Sequence, residues 1–331
     1  MKLRCLTKLK SFYPGKHTLE CPSLETLDVY LCEALQMFSL DHYDFPHEQA
    51  LFFIEKVSPN LWELALNDKD AMRILNGHYA NIFHSVKMLH LQYFQEASIM
   101  FLNDFLERFP NTTTIQLRYC SFETLFLSEG IDHCEGSTQI IKNLWLYQLE
   151  QLKHIWNDDS LSDPFVQNLK SLRVVDCSSL TSLAPPSISF KNLTTLEVKD
   201  CKGLIYLMKS STARSLMQLT SLTIENCEMV EEVVMISEGE SEEEIKFDRL
   251  VKLKLTSLSS FKSFCSGKHT FIFSSLRNLE VKRCPKMQNF SSGVIIAPIL
   301  KIVEVDNGKK YWTEDLNTTL RKLVMKKVHD E

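Results

Sequence analysis

The stretch NLTTLEVKDCKGLIYL, residues 192 to 207, decides how this chain folds. Leu196 and Val198 alternate with Thr195, Glu197 and Lys199, a period of two that sends the aliphatic pair to one side of a short strand and the polar residues to the other. A turn follows, and Leu204 and Leu207 then fold back over the same core. One such unit cannot close a core by itself. Many of them, stacked in parallel, bury each apolar face against the next, and the result is a solenoid.

The apolar-x-x-apolar-x-apolar frame of that stretch recurs, with first positions at Leu24, Leu61, Val86, Thr112, Ile141, Leu169, Leu193, Leu219, Leu250, Leu276 and Leu300. Thr112 is the weak match. Spacings run from 24 to 31 residues except the first, which is 37 and contains DHYDFPHEQALFFIEKVSPN, where a short helix is expected. This pattern resembles a leucine-rich repeat, whose period is about 20 to 29 residues. Sliding the chain by 252 residues lays SFYPGKHT, residues 11 to 18, on SFCSGKHT, residues 263 to 270, and brings Leu24, Leu27 and Val29 onto Leu276, Leu279 and Val281.

The repeated GKHT invites a phosphate-loop reading, which fails on spacing. A phosphate loop needs a glycine five residues before its GK and Ser or Thr directly after the lysine; here Lys10 and Lys262 stand at the first place and His17 and His269 at the second. The string is instead a trace of repeat duplication, with its lysine and histidine expected on an exposed turn leading into a strand. No HExxH, GxSxG or GxGxxG occurs, so enzyme chemistry lacks a seed and no cofactor is expected. The scattered histidines, among them His90 and His154 on exposed positions, read as surface residues.

Six of the ten cysteines, Cys32, Cys120, Cys177, Cys201, Cys227 and Cys284, stand eight residues after the first position of their repeat. That is the inward Asn-or-Cys position of the leucine-rich repeat consensus, where a thiol serves as a small buried hydrophobe. No CxxC pair supports a zinc site. Cys5, Cys21, Cys134 and Cys265 share no register. The four Asn-x-Ser/Thr sequons, at Asn111, Asn192, Asn289 and Asn317, read as chance occurrences in a Ser/Thr-rich repeat.

In 331 residues, 44% hydrophobic and 24% charged side chains allow a large core, and a net charge of -5 gives no general attraction to nucleic acid or an anionic membrane. The N-terminus carries no apolar signal segment, and no run approaches the roughly 18 apolar residues of a membrane span. A cytoplasmic protein with free thiols is expected. The acidic run SEGESEEEIKF, residues 237 to 247, reads as a solvated, mobile insertion.

The expected fold is therefore an α/β solenoid: an irregular horseshoe of about 11 repeats over residues 1 to 310, the first one partial, an enlarged one near 39 to 60, and an acidic loop at 236 to 246. Short parallel strands line its concave face, and loops or short helices its convex side. Residues 311 to 331 form a helical cap, with Leu316, Leu320, Leu323 and Val324 on its apolar face and Thr313 as N-cap. The outward central column reads Asp28, Ala65, His90, Gln116, Trp145, Arg173, Glu197, Thr223, Lys254, Glu280 and Glu304. Asn143, Trp145 and Tyr147 beside Arg173 have the composition of a binding hot spot, and Glu197, Lys199, Lys254 and Glu280 extend that surface.

LKSLRVVDCSSLTSL, LTTLEVKDCKGLIYL, LTSLTIENCEMVEEVV, LEQLKHIW and the closing YWTEDLNTTLRKL together resemble the C-terminal leucine-rich repeat region of plant coiled-coil NB-LRR disease-resistance proteins. The resemblance implies recognition of a pathogen effector or a guarded host protein, and autoinhibitory contact with a nucleotide-binding module. This stretch of chain carries neither a coiled coil nor a nucleotide-binding motif, so the ATP-driven switch is not expected from it. The chain starts inside a repeat, which fits a truncated paralogue, a gene-model fragment or a free-standing repeat protein. An alternative, the substrate-recognition repeats of an F-box ubiquitin ligase subunit, wants an F-box ahead of the repeats; a general interaction scaffold remains open as well.

Overall fold

The computed structural model describes residues 1–10, 21–30, 32, 34–35, 37–39, 52–53, 59–76, 83–95, 105–126, 140–156, 164–237, 239–240 and 243–329. The chain divides into two compact units, Met1–Phe122 with Ile131–Ile141, and Glu123–Gly130 with Lys142–Glu331.

In the first unit the strands Lys2–Arg4, Thr26–Tyr30, Glu63–Asn67, Met88–Gln92 and Thr114–Arg118 pair in parallel, each with the next in sequence. Leu27, Leu64, Leu89 and Ile115 face one another in register and are buried. The weak repeat position, Thr112, is buried too, and its hydroxyl donates to the Val86 carbonyl at 3.0 Å, which removes the cost of a polar atom in that place. Behind the strands Phe83 stacks on Phe109 at 4.9 Å. Asn67 Oδ1 accepts from the Asp70 N–H at 2.9 Å and so caps the helix Asp68–Asn76, whose first turn carries Asp68 and Asp70 against the positive end of the dipole. Most of the enlarged repeat near 39 to 60, including the segment expected to be helical, lies outside the described residues; Phe52–Phe53 within it pair in parallel with Phe38–Ser39.

In the second unit the strands Asn143–Tyr147, Ser171–Val175, Thr195–Lys199, Ser221–Glu225, Lys252–Thr256 and Asn278–Lys282 continue the scheme, followed by Val303–Glu304. The antiparallel strand Lys310–Tyr311 closes its edge. Two inward columns, Leu144 to Leu279 and Leu146 to Val281, are buried throughout. Each fully buried leucine contributes about 2 kcal/mol over an exposed one, so the stack draws its stability from these columns. The reverse side holds short helices, Pro164–Asn168 and Ser210–Ser215, and also short parallel strands: Thr124–Phe126 with His154–Trp156, Tyr206–Lys209 with Glu232–Met235, and Ile245–Lys246, Phe271–Ile272 and Ile295–Ile296 together. A cluster of phenylalanines fills the space between the layers, with Phe264 stacked on Phe290 at 4.9 Å and Phe247 on Phe273 at 5.5 Å.

One turn recurs after the strands of both units. Cys5, Tyr93, Tyr119, Gln148, Asp176, Asp200, Asn226, Ser257 and Arg283 each directly follow a strand and have φ between 52° and 60°. Asp and Asn tolerate this left-handed backbone, whereas for the others it costs on the order of 1 kcal/mol each. What the turn gains is a hydrogen bond into the next strand: the N–H of Gln148 donates to Val175 O at 2.9 Å, Asp176 to Lys199 O at 2.9 Å and Asp200 to Glu225 O at 2.9 Å.

At the next residue stand five of the six cysteines, Cys120, Cys177, Cys201, Cys227 and Cys284; the residue before Cys32 lies outside the described residues. All six are buried. The Cys201 thiol reaches Lys199 O at 3.2 Å, and Cys227 reaches Glu225 O at 3.4 Å and Val198 O of the preceding repeat at 3.9 Å. Burial pushes the Cys120 and Cys177 thiols up to about 12, and the neighbouring Cys227 together with burial raises Cys201.

Three expectations change. His269 is buried, not exposed, and among the described residues neither ring nitrogen has a hydrogen-bond partner, while Lys268 is exposed as expected. The turn is tight there because a side chain on Gly267 would meet Ile236 Cγ1 at 2.6 Å; the first GKHT copy lies outside the described residues. The acidic run is anchored where it is described: Ser210 Oγ donates to Glu240, and Arg214 lies 3.5 Å from Glu243. Asp315, not Thr313, caps the closing helix Leu316–His329, accepting from the Thr318 N–H at 2.9 Å. Leu316 and Leu320 are buried; the Leu323 and Val324 side chains lie outside the described set. Three of the four sequon asparagines make hydrogen bonds to the backbone: Asn192 Nδ2 donates to Gln167 O at 2.7 Å, Asn111 Nδ2 to His84 O at 2.8 Å, and Asn317 Oδ1 accepts from Phe290 N–H at 2.9 Å and Ser291 N–H at 3.1 Å.

Candidate protein-binding face

The outward columns of the second unit follow from its register. Arg173 lies between Trp145 and Glu197, Thr223 between Glu197 and Lys254, and Glu280 between Lys254 and Glu304. Two residues further along each strand runs the row Tyr147, Val175, Lys199, Glu225, Thr256 and Lys282, and two residues before the centre the row Asn143, Ser171, Thr195, Ser221, Lys252 and Asn278. Strands about 4.8 Å apart put every one of these side chains within reach of its neighbours.

Those neighbours are complementary. Arg173 Nε lies 2.6 Å from Glu197 Oε2, whose other oxygen is 2.6 Å from Lys199 Nζ. Lys199 is also 3.7 Å from Glu225, and Lys254 Nζ is 3.1 Å from the same Glu225 oxygen. Lys282 Nζ joins Glu280 at 3.0 Å to Glu304 at 2.6 Å. The hot-spot residues meet at the head of this ladder: the Arg173 guanidinium stands 5.3 Å from the Trp145 ring centre, and its Nη1 donates to Tyr147 Oη at 3.2 Å.

Electrostatics hold the charges in place. Partial burial opposes ionisation of Glu197, but Lys199 and Arg173 outweigh it and depress the carboxyl below its usual range. The hydrogen bond to Glu197 raises Lys199. Burial likewise works against the Arg173 charge, and Tyr147 and Glu197 overcome it. The geometry thus supplies a rigid row of alternating charge with an aromatic head, which can present fixed donors and acceptors to a partner at little cost in side-chain ordering.

All eight residues singled out from the sequence, Asn143, Trp145, Tyr147, Arg173, Glu197, Lys199, Lys254 and Glu280, stand on these outward columns. Glu225 and Lys282 belong with them and were missed. Their signal was available, since each sits two residues beyond the central position, as Lys199 does.

The first unit presents a different surface. Asp28 is 9% exposed and pairs with Arg4, and Ala65 is buried, so neither offers the free outward position expected of it. His90 is largely covered: Nε2 lies 3.0 Å from Glu63 Oε1, and burial lowers its pKa despite that carboxylate. At the strand ends, Tyr93 stacks on Tyr119 at 5.3 Å, Tyr30 and Tyr119 join hydroxyls at 2.9 Å, and Val29, Asn67, Gln92 and Tyr93 help line a pocket of about 340 Å³.

Among the described residues no cluster of three His, Cys, Asp or Glu side chains could hold a metal, and no helix is long and apolar enough to cross a membrane. The family model of plant disease resistance protein RPS2-like leucine-rich repeats matches residues 60–190 and 183–305. No curated protein matches the chain.

Proposed function

Because the chain belongs to the leucine-rich repeat family of RPS2-like plant disease resistance proteins, we propose that it is a non-enzymatic, cytoplasmic recognition module of plant innate immunity. Its partner is a protein: a pathogen effector, a guarded host protein or the nucleotide-binding module of a receptor. The observation that carries this reading is the ladder headed by Trp145, Tyr147 and Arg173. Aromatic and arginine side chains held rigid by their neighbours are the usual source of binding energy at protein interfaces. The acidic and basic groups that follow down the face add register and selectivity.

The test is capture from pathogen-challenged plant tissue on immobilised protein, comparing wild type with the Trp145→Ala plus Arg173→Ala variant by quantitative mass spectrometry. A protein captured by wild type and depleted about thirtyfold or more with the variant supports the reading, because hot-spot truncation costs about 2 kcal/mol or more. Undiminished capture of every partner by a variant that still melts cooperatively overturns it.

A further inference from the structure

A second interaction surface lies at the starting ends of the strands Lys252–Thr256, Asn278–Lys282 and Val303–Glu304, beside the ladder. Val251 and Lys252 donate their N–H groups to Thr220 O, and Arg277 and Asn278 donate theirs to Val251 O. Continuing the pairing of Leu279 with Val303 back along the strands sets Asn278 beside Ile302 and Arg277 beside Lys301. Val251, Ile299 and Ile302 are 37%, 40% and 45% exposed, and Lys252, Arg277 and Lys301 are exposed among them.

The contrast with the adjoining column is what gives this patch meaning. There, Glu280 and Glu304 would repel each other and Lys282 bridges them. Here, Arg277 and Lys301 stand on neighbouring strands, and neither they nor Lys252 form an ion pair among the described residues. Like charges across adjacent strands destabilise a sheet. The nearest acids along the chain are engaged elsewhere: Asp248, before Lys252, accepts from Ser274 Oγ at 2.6 Å, and Glu280 and Glu304, three residues after Arg277 and Lys301, are held by Lys282. A chain of net charge -5 thus leaves three cations uncompensated among three exposed aliphatic side chains.

We propose that Val251, Lys252, Arg277, Ile299, Lys301 and Ile302 form a docking surface for an acidic protein segment that carries aliphatic side chains between its carboxylates. Charge complementarity selects the occupant. An anionic membrane is disfavoured because its extended negative surface would repel the rest of this acidic chain, whereas a peptide acts within a Debye length of the patch. Arg277 and Lys301, on which the test turns, lie outside the ladder headed by Trp145 and make no ion pair with it among the described residues, so the two sites can fail separately.

The test uses a fluorescein-labelled peptide alternating Glu and Leu, with a Gln and Leu peptide as control, titrated by anisotropy against the full chain. The expected result is binding of the Glu peptide over the Gln peptide, weakened about tenfold by Arg277→Glu plus Lys301→Glu and weakened also by added salt. Arg277→Lys plus Lys301→Arg should retain it, and the Trp145→Ala plus Arg173→Ala variant should bind as wild type does. Arg277 and Lys301 are exposed and Trp145 and Arg173 half-buried, so matching melting curves are required of each variant and establish that it folds. Equal binding of both peptides, or indifference to the charge reversal, overturns the proposal. So does a result in which phosphatidylserine vesicles sediment with the protein while the Glu peptide does not bind, or in which the Trp145 variant alone loses the peptide.

Discussion

Lys282 Nζ stands 3.0 Å from Glu280 Oε1 and 2.6 Å from Glu304 Oε1, joining two carboxylates that the strand register places on adjacent strands. Removing the ammonium therefore does more than delete a surface ion pair. Lys282→Gln exposes Glu280 and Glu304 to each other, and the melting temperature should fall at low ionic strength and recover as salt screens the repulsion. Adding Glu304→Gln should restore most of the loss, since the repelling partner is then gone. Thermal melts of the single and double variants at two salt concentrations decide it; a salt-independent loss would place the cause in packing.

The left-handed turn that follows nine of the strands predicts an unusual tolerance. Gln148 has φ 55°, and Gly there relieves strain while giving up some order in the unfolded chain. Gln148→Gly should lie within about 1 kcal/mol of wild type, on either side. Gln148→Val, with a branched side chain that resists this backbone, should lose about 2 kcal/mol. Urea denaturation of both variants gives the comparison, and equal stabilities would remove the turn from the argument.

Thiol reactivity should divide by position. Cys5 is exposed, whereas Cys120 and Cys177 are buried and pushed up to about 12. At neutral pH a thiol-specific reagent such as dithionitrobenzoate should modify Cys5 quickly and reach Cys120 and Cys177 only at the rate of unfolding. Peptide mapping of the modified sites over time tests this; prompt labelling of Cys177 in the folded protein would contradict the burial of the thiol row.

His90 sets a pH dependence whose sign follows from burial. Its folded pKa is lowered, with Glu63 and Asp28 pulling upward and Arg118 adding to the decrease. The unfolded chain takes up the proton near the ordinary histidine value of about 6.5, so it binds more protons than the folded chain just below that pH. The His90 contribution is complete above that value and is lost as pH falls towards and through the lower folded pKa. Replacing His90 by Gln should flatten the stability profile in that window, as read from denaturant midpoints between neutral and mildly acidic pH. An unchanged profile would assign the dependence elsewhere.

How much of this was legible follows from what each feature depends on. The strand positions depend on period alone, so Leu196 and Val198 revealed their strand and its partners at Leu172 and Leu222 came with the repeat. The outward residues followed from the same alternation. The pairing among them did not, because it depends on which side chains reach across strands: Lys282 and Glu225 are ordinary charged residues until register brings Glu304 and Lys254 beside them. His269 was misplaced because its letter suggests a wet turn, while its position beneath Ile236 and Gly267 is a property of the tertiary fold. Thr313 was a sensible cap by composition, yet Asp315 stands closer to the first helical turn and its carboxylate takes both the N–H and the hydroxyl of Thr318. At Asp28 and Ala65 alternation gave the correct side of the strand but not how much neighbouring chain covers it.

The left-handed residue that ends nine of the strands has a consequence for how such a chain can change. The spacings from Leu193 to Leu219 and from Leu219 to Leu250 differ by five residues, yet Thr195, Ser221 and Lys252 still align one to one. Length is absorbed on the reverse side, where the acidic segment lies, and the strand always restarts on the same beat. Insertions behind the sheet are therefore silent to the face. One residue added inside Ser221–Glu225 would instead turn Leu222 and Ile224 to the outside and cut the ladder in two. The recognition surface can be rewritten letter by letter at its outward positions while its metre is kept by residues that no partner touches.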